Sequence, residues 1–322
     1  MQQVNSVKHS DASQVVASIQ GLNKSFSNKQ ALCDVELQIK SNQVLAILGS
    51  NGAGKTTLIN TLLGRLKIDS GEISIFSSQP GSLAVKQQTG AMLQVASLPE
   101  TLKIREHIQL FQSYYPNPMD YQKVIAYAGL ESLQERFSKK LSGGEKQRLL
   151  FALSICGNPK LLFLDEPSVG MDLSARQSLW KAIRDLKNQG TAIVLTTHYL
   201  EEADSLADEI VLLKQGAIIQ RGTNEQIKAC VSSTTIRFTT PSYPIDFNSV
   251  AYLISHDVSG KYTAIQTNEL NQTLISLLTK YPELEDLSVS RAGLEEAFLE
   301  LNKDQLAQSK TGKSVINKGE AA

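Results

Sequence analysis

The stretch Gly49-Ser50-Asn51-Gly52-Ala53-Gly54-Lys55-Thr56-Thr57 constrains this chain more than any other. It fits the spacing G-x-x-x-x-G-K-[ST], follows the apolar run QVLAIL at 43–48, and opens a segment, Thr57–Leu66, with apolar residues at helical spacing. Strand, glycine loop and helix in that order are what a phosphate-binding loop requires. Glycines at 49, 52 and 54 let successive backbone N–H groups turn inward, and the helix directs its positive N-terminal end to the same point. Lys55 then reaches the outer phosphates, Thr56 offers a hydroxyl to a bridging Mg2+, and Thr57 caps a phosphate oxygen.

At 322 residues the chain has room for one large or two modest domains. Lysines plus arginines equal aspartates plus glutamates, 32 each, so no general attraction to nucleic acid or acidic lipid is expected. No apolar run approaches the roughly 18 residues of a bilayer-crossing helix. Residues 1–20 are polar throughout, unlike a signal peptide, which points to a cytoplasmic protein. Cys33, Cys156 and Cys230 lack metal-ligand spacing and read as buried structural thiols.

Upstream of the loop, Val15–Gly21 and Val35–Ile39 read as strands joined by a polar turn around Ser27-Asn28-Lys29. Phe26 lies in that turn, where spacing fits a core side chain and a base-stacking face equally well. Downstream, Ile73–Phe76 reads as a strand, Gly81–Gln88 as a short helix, and Gly90–Gln94 as a strand ending in an amide that is an ordinary turn residue. From Leu102 to Gly129 the spacing is helical, broken by Pro116 and Pro118.

In Leu141-Ser142-Gly143-Gly144-Glu145, Ser142 and Glu145 form a capping box that opens a helix running to Ile155. Such boxes commonly do no more than start helices; this one also presents an electropositive end suited to an anion. The apolar strand Leu161–Leu164 delivers Asp165 and Glu166 at its carboxyl end, either a solvated strand end or one acid near a metal and the next near a water. A helix over Ser174–Gln189 and a buried strand over Thr191–Thr196 lead to His198, a lone histidine whose commoner role is a structural hydrogen bond.

The order of these motifs resembles the nucleotide-binding subunit of ATP-binding cassette (ABC) transporters, over about residues 15–225. The resemblance rests on the P-loop Gly49–Thr56, Gln94, the signature Leu141-Ser142-Gly143-Gly144, Leu161–Glu166, Ser168–Asp172 and His198. It implies an α/β fold: a P-loop NTPase ABC cassette with a mixed sheet core, an N-terminal antiparallel β part and a helical insertion, plus a small C-terminal α/β appendage. It further implies ATP and Mg2+ as ligands. Gly49, Ser50, Asn51, Gly52, Ala53, Gly54, Lys55, Thr56 and Thr57 would surround the phosphates, and Phe26 would stack on adenine. Thr56, Gln94 and Asp165 would serve the metal, and Glu166 and His198 would be catalytic. Leu141, Ser142, Gly143, Gly144 and Glu145 would contact ATP held by a second copy, and Asp172 would lie between copies. Ser50, Glu145 and Met171 depart from the family's frequent proline, glutamine and leucine; only Glu145 bears on a contact, that on the ribose side.

The expected organisation is a disordered segment at 1–14, the nucleotide-binding domain at 15–228 with its insertion at 95–137, a small α/β domain at 229–303, and a disordered tail at 304–322. In the small domain, Thr234–Thr239 and Val250–Ile254 read as strands, Ser259-Gly260 as a hairpin turn into Tyr262–Gln266, and Asn268–Lys280 as a helix. Leu294, Ala297, Phe298 and Leu301 would share one helical face.

Ser168–Asp172, Thr196–Ala203 and Gly293–Phe298 are similar to ABC-2 type exporters. The implied function is the ATP-binding and ATP-hydrolysing subunit of an exporter, dimerising head to tail around Mg-ATP and driving a separate membrane-spanning permease. Tyr114 and Tyr115 in the insertion would be either core or permease contacts. The implied location is the inner face of the cell membrane, peripheral through the permease, with no nucleic-acid partner. The alternative is a non-transport ATPase of the same superfamily, against which a single cassette, no sustained heptads and balanced charge all weigh.

Overall fold

The structure, a computed structural model, describes residues 14–27, 29–94, 98–229, 234–239, 244–291 and 294. The chain divides after Thr223 into two compact units. In the first, β1 (Val15–Phe26) and β2 (Lys29–Lys40) form an antiparallel hairpin, and β3 (Val44–Leu48) leads through the glycine loop into α1 (Lys55–Leu62). β4 (Ser70–Ile75) returns to β1, completing a three-stranded antiparallel sheet in the order β2-β1-β4. α2 (Leu83–Lys86) and β5 (Thr89–Met92) follow. The insertion forms α3 (Ile104–Gln112) and α4 (Tyr121–Ala128), with the expected proline break between them. Then come α5 (Gly143–Ile155), β6 (Leu161–Asp165), α6 (Leu173–Asn188), β7 (Ala192–Thr196), α7 (Leu200–Leu206), β8 (Glu209–Lys214) and β9 (Ala217–Gly222).

The larger sheet runs β5-β6-β7-β3-β8-β9, parallel except for β9. A parallel strand is covered on both faces, so successive residues enter opposite cores. Leu45, Ile47, Leu161, Phe163 and Val194 pack with α1 and the antiparallel sheet; Leu162, Leu164, Ile193 and Leu195 pack with α3, α4, α5 and α6. This two-sided burial is why those strands read as unbroken apolar runs. Register then aligns their ends: Met92 pairs with Leu164, Asp165 with Thr196, and Ile47 with Thr196. The carboxyl ends of β3, β5, β6 and β7 therefore finish at one edge, where ligands bind in open parallel sheets.

Sequence periodicity assigns nothing to β8 and β9, because a short apolar run after a helix fits either state. The turn that joins them settles the matter, with Gln215 and Gly216 both at positive φ (49° and 83°). Cys156 is buried, and burial pushes its thiol up to about 12, whereas Cys33 is only half-buried, contrary to the expectation for it. Cys230 lies outside the described residues.

The second unit holds α8 (Asn224–Ala229), β10 (Thr234–Thr239), β11 (Leu253–Ser259), β12 (Tyr262–Thr267), α9 (Leu270–Lys280) and β13 (Ser288–Arg291). Its sheet runs β11-β12-β10-β13 around Ile236, Phe238, Val250, Ile265 and Leu277. The strand expected from Val250 begins later, at Leu253. Asp246 caps a short 3-10 turn at Phe247–Ser249, and Tyr252, at φ 58°, redirects the chain before pairing starts. Leu294 is buried; Ala297, Phe298, Leu301 and the segments 1–13 and 304–322 lie outside the described residues.

Candidate functional site

Close approach requires glycine at two loop positions. A Cβ on Gly49 would lie 2.4 Å from the Leu213 carbonyl oxygen. Gly54 caps α1 at φ 110°, and a Cβ there would meet the Ala31 carbonyl oxygen at 2.6 Å. The loop is also held from behind: the Gly216 N–H donates to the Ala53 carbonyl and the Cys33 N–H to the Gly216 carbonyl, each at 2.9 Å. Lys55 is 7% exposed, and its Nζ donates to the carbonyls of Gly49 at 2.7 Å and Ser50 at 3.3 Å. Burial pulls its pKa down, while the carboxyls of Glu166 and Asp165 push it back up.

At the end of β6 the Asp165 carboxylate accepts from the Thr196 hydroxyl through Oδ1 and, at 3.4 Å, from the Thr56 hydroxyl through Oδ2. Glu166 leaves the strand at φ 53°, a left-handed conformation uncommon for a residue with a Cβ. Its N–H donates to the Thr196 carbonyl at 3.0 Å. That turn brings Oε2 of Glu166 to 2.6 Å from Nδ1 of His198, with the glutamate side chain 11% exposed and the histidine 47%.

Lys55, Thr56 and Glu166 border a cleft of about 380 Å³, within the range of small-ligand sites, lined by Phe26, Lys29, Ala31, residues 51–57, Gln94 and Glu166. Phe26 is 47% exposed on its rim, 5.5 Å from Lys24 Nζ, and is not a core residue. Gly49, Ser50, Asp165 and His198 are not among the lining residues: the Gly49 and Ser50 carbonyls hold Lys55, Asp165 bonds Thr56, and His198 bonds Glu166.

The signature is elsewhere: Leu141, Ser142, Gly143, Gly144, Glu145 and Asp172 do not line this cleft. Ser142 Oγ accepts from the Glu145 N–H at 3.2 Å, and the Glu145 carboxylate accepts from the Ser142 N–H at 2.8 Å, the reciprocal box expected from the sequence. Glu145 also pairs with Arg136 at 2.8 Å. The Ser142 N–H chiefly lowers the Glu145 pKa against the opposing effect of burial, and Arg136 adds to the lowering. The carboxylate is thus committed within its own chain. Gly144 packs on the 168–172 turn, where a Cβ would lie 3.3 Å from the Gly170 carbonyl oxygen. Asp172 caps α6, accepting from the Ala175 N–H at 2.8 Å.

Residues 32–169 match the ABC transporter family. The daunorubicin resistance ATP-binding protein DrrA3 of Streptomyces coeruleorubidus is 32% identical over 310 residues, covering 89% of this chain and 95% of that protein. The chain belongs to the ABC transporter family. The Nod factor export ATP-binding protein I of Rhizobium sp. (strain N33) is 30% identical over 303 residues, covering 88% of this chain and 99% of that protein. Among solved structures, the ATP binding subunit of an ABC transporter overlays with a TM-score of 0.61 at 25% identity, covering 67% of this chain and 92% of that one. A dimeric ATP-binding cassette bound to ADP and Pi shares the fold, with a TM-score of 0.59 at 23% identity over 64% of this chain and 98% of that one.

Several residues of this ABC cassette's cleft escape sequence reading. Thr196 holds Asp165, Gly216 braces the loop, and Lys29 and Ala31 form one wall. Only Thr196 leaves a trace in sequence, a hydroxyl closing an otherwise apolar strand. The others reach the cleft by strand pairing. Among the described residues no three of His, Cys, Asp and Glu cluster as metal ligands, and no helix is long and apolar enough to cross a membrane.

Proposed function

We propose that this chain hydrolyses ATP as the energy-supplying subunit of an exporter. The observation that carries the reading is Glu166, which lines the same cleft as the phosphate loop and is paired at 2.6 Å with His198. Glu166 would polarise the attacking water, and His198, held by it, would orient that water and the terminal phosphate. Phe26 on the rim would stack on adenine. The names of the relatives, concerned with drug resistance and Nod factor export, support export as the direction.

The donors near the cleft suit Mg2+. The Thr56 hydroxyl, the Asp165 carboxylate and the Gln94 amide are hard oxygen ligands too few for a protein-only cage, and Mg2+ is typically held by one or two carboxylates plus substrate phosphates. Bound there, the ion would supply neutralisation of charge on the phosphate oxygens. The signature works in trans. Ser142 accepts from the Glu145 N–H, which leaves its own hydroxyl proton and the end of α5 to meet the phosphates of a second copy's ATP, with Asp172 at that junction. Tyr114, 64% exposed, is the better permease contact of the two tyrosines, since the Tyr115 ring packs against Gly157. The cassette would sit at the inner membrane face through that permease.

Turnover, nucleotide binding and light scattering test this together. Glu166→Gln should keep Mg-ATP binding, lower turnover by about 10²–10⁴ and dimerise in Mg-ATP, whereas Lys55→Ala should lose binding. Parental turnover in Glu166→Gln, or monomers alone at saturating Mg-ATP, overturns the shared-site mechanism.

A further inference from the structure

Glu202, in the first turn of α7, has no part in the site above, yet it is 0% exposed. Glutamate is rarely buried to that degree without partners. Its Oε1 accepts from Trp180 Nε1 on α6 at 3.1 Å. The hydroxyls of Thr197 and Ser168 also face the carboxyl, but Glu202 Oε2 and Ser168 Oγ are both buried and neither makes a hydrogen bond of good geometry.

The chain positions of these neighbours give the cluster its meaning. Ser168 follows Glu166 and Pro167, Thr197 precedes His198, and Trp180 stands on the helix that Asp172 caps. One carboxyl thus touches the segments that carry both members of the hydrolytic pair and the expected inter-subunit residue. Arg176 adds a second layer, lying 5.8 Å from the ring centroids of both Trp180 and Tyr199 and 3.7 Å from Glu201. The Tyr199 ring in turn lies 4.1 Å from that of His198.

We propose that Glu202 is a positioning residue, a buried carboxyl that accepts from Trp180 and bonds the hydroxyls of Ser168 and Thr197, clamping the Glu166 segment to the His198 segment and to α6. Burial favours the neutral form, opposed by the hydrogen bonds of Thr197, Trp180 and Ser168 and by the charge of Arg176. Oε2 is an acceptor and the Ser168 hydroxyl a donor, so two orphaned buried atoms satisfy one another. The proposal rests on the reading of Glu166 and His198 as the hydrolytic pair, since a clamp matters only if their relative placement does.

The test uses the full chain and its single tryptophan, Trp180, whose emission reports on the clamp directly. Glu202→Met should lower turnover about tenfold or more while Mg-ATP affinity stays within about threefold, the pattern of lost alignment rather than lost binding. Glu202→Gln, which keeps the side-chain shape and an oxygen to accept from Trp180 while its amide N–H can donate to Ser168 Oγ, should restore turnover to within about twofold of the parent. The emission change on adding Mg-ATP to Glu166→Gln should persist when Glu202→Gln is added and vanish when Glu202→Met is added. Ser168→Ala, which deletes one arm without touching α7, should also lower turnover and covers the case in which Glu202→Met fails to fold. Parental turnover in both Glu202→Met and Ser168→Ala overturns the clamp, as does equal loss in the Met and Gln variants. Parental turnover in Glu166→Gln instead overturns the hydrolytic pair and the clamp with it, so the two failures are distinguishable.

Discussion

Replacing Thr196 by valine removes one hydroxyl from the end of β7 and little else. Both shapes suit a strand, and the site is dry: Thr196 is 0% exposed and Asp165 3%. What disappears is the donor to Asp165 Oδ1, a bond to a charged acceptor. The Thr56 hydroxyl cannot take its place, being 3.4 Å from the other oxygen. A hydrogen bond to a charged group contributes about 1.5–3 kcal/mol, so Thr196→Val should destabilise the cassette by about 2 kcal/mol. Thr61 is the control. It is equally buried, at 1% exposure, but its hydroxyl donates to the neutral Leu58 carbonyl at 2.8 Å within α1, where the loss should be about 0.5–1.5 kcal/mol. Urea unfolding followed by Trp180 emission measures both, since that tryptophan lies in the first unit. A Thr196→Val cost below about 0.5 kcal/mol, or one no larger than that of Thr61→Val, would refute the argument that this hydroxyl holds a charged Asp165.

Gly54→Ala faces both a φ of 110° and the Ala31 carbonyl 2.6 Å away, so it should lose more than about 1 kcal/mol and weaken Mg-ATP binding in a titration with a fluorescent ATP analogue. Gly52→Ala, at φ 81° with open space around it, should lose only about 1 kcal/mol by urea unfolding. Ser142→Ala removes the cap of α5 and should cost about 1 kcal/mol by the same measure, with Mg-ATP-driven dimerisation in Glu166→Gln reduced in light scattering. Glu202 gives a pH signature. Its folded pKa is raised by burial, so the folded state holds a proton that the unfolded chain releases near the ordinary carboxyl value; the stability this confers is full below that value and is lost as pH rises through the folded pKa. Glu202→Gln cannot lose that proton, so its stability relative to the parent should increase as pH rises above the ordinary carboxyl value, and a constant difference would show that the carboxyl does not change charge there.

The parts of the site legible in the sequence are those whose physics is local. A phosphate cradle is built from neighbouring N–H groups, so Gly49–Thr56 announces itself as one unbroken stretch, and the Ser142–Glu145 box is equally self-contained. The helical break at Pro116 and Pro118 belongs to the same class, because proline acts on its own turn. Phe26 was ambiguous for the opposite reason: whether an aromatic ring is core or rim depends on which strand covers it. β8 and β9 are silent in sequence because apolar runs of four and three residues, Ile210–Leu213 and Ala217–Ile219, have no period of their own, although their turn braces the loop through Gly216.

Residue type and spacing within a turn or two of chain mark out the segments suited to bind phosphate, cap a helix or supply an acid. Which of them meet depends on long-range packing. Parallel register brought the ends of β3, β5, β6 and β7 to one edge, so that Asp165 and Glu166 come up to Lys55 and His198 pairs with Glu166 although they are scattered along the chain. It left the signature outside that cleft and buried Glu202 between the segments of Glu166 and His198. Pairing and burial are set by the packing of distant strands and helices, and no window of sequence contains both partners.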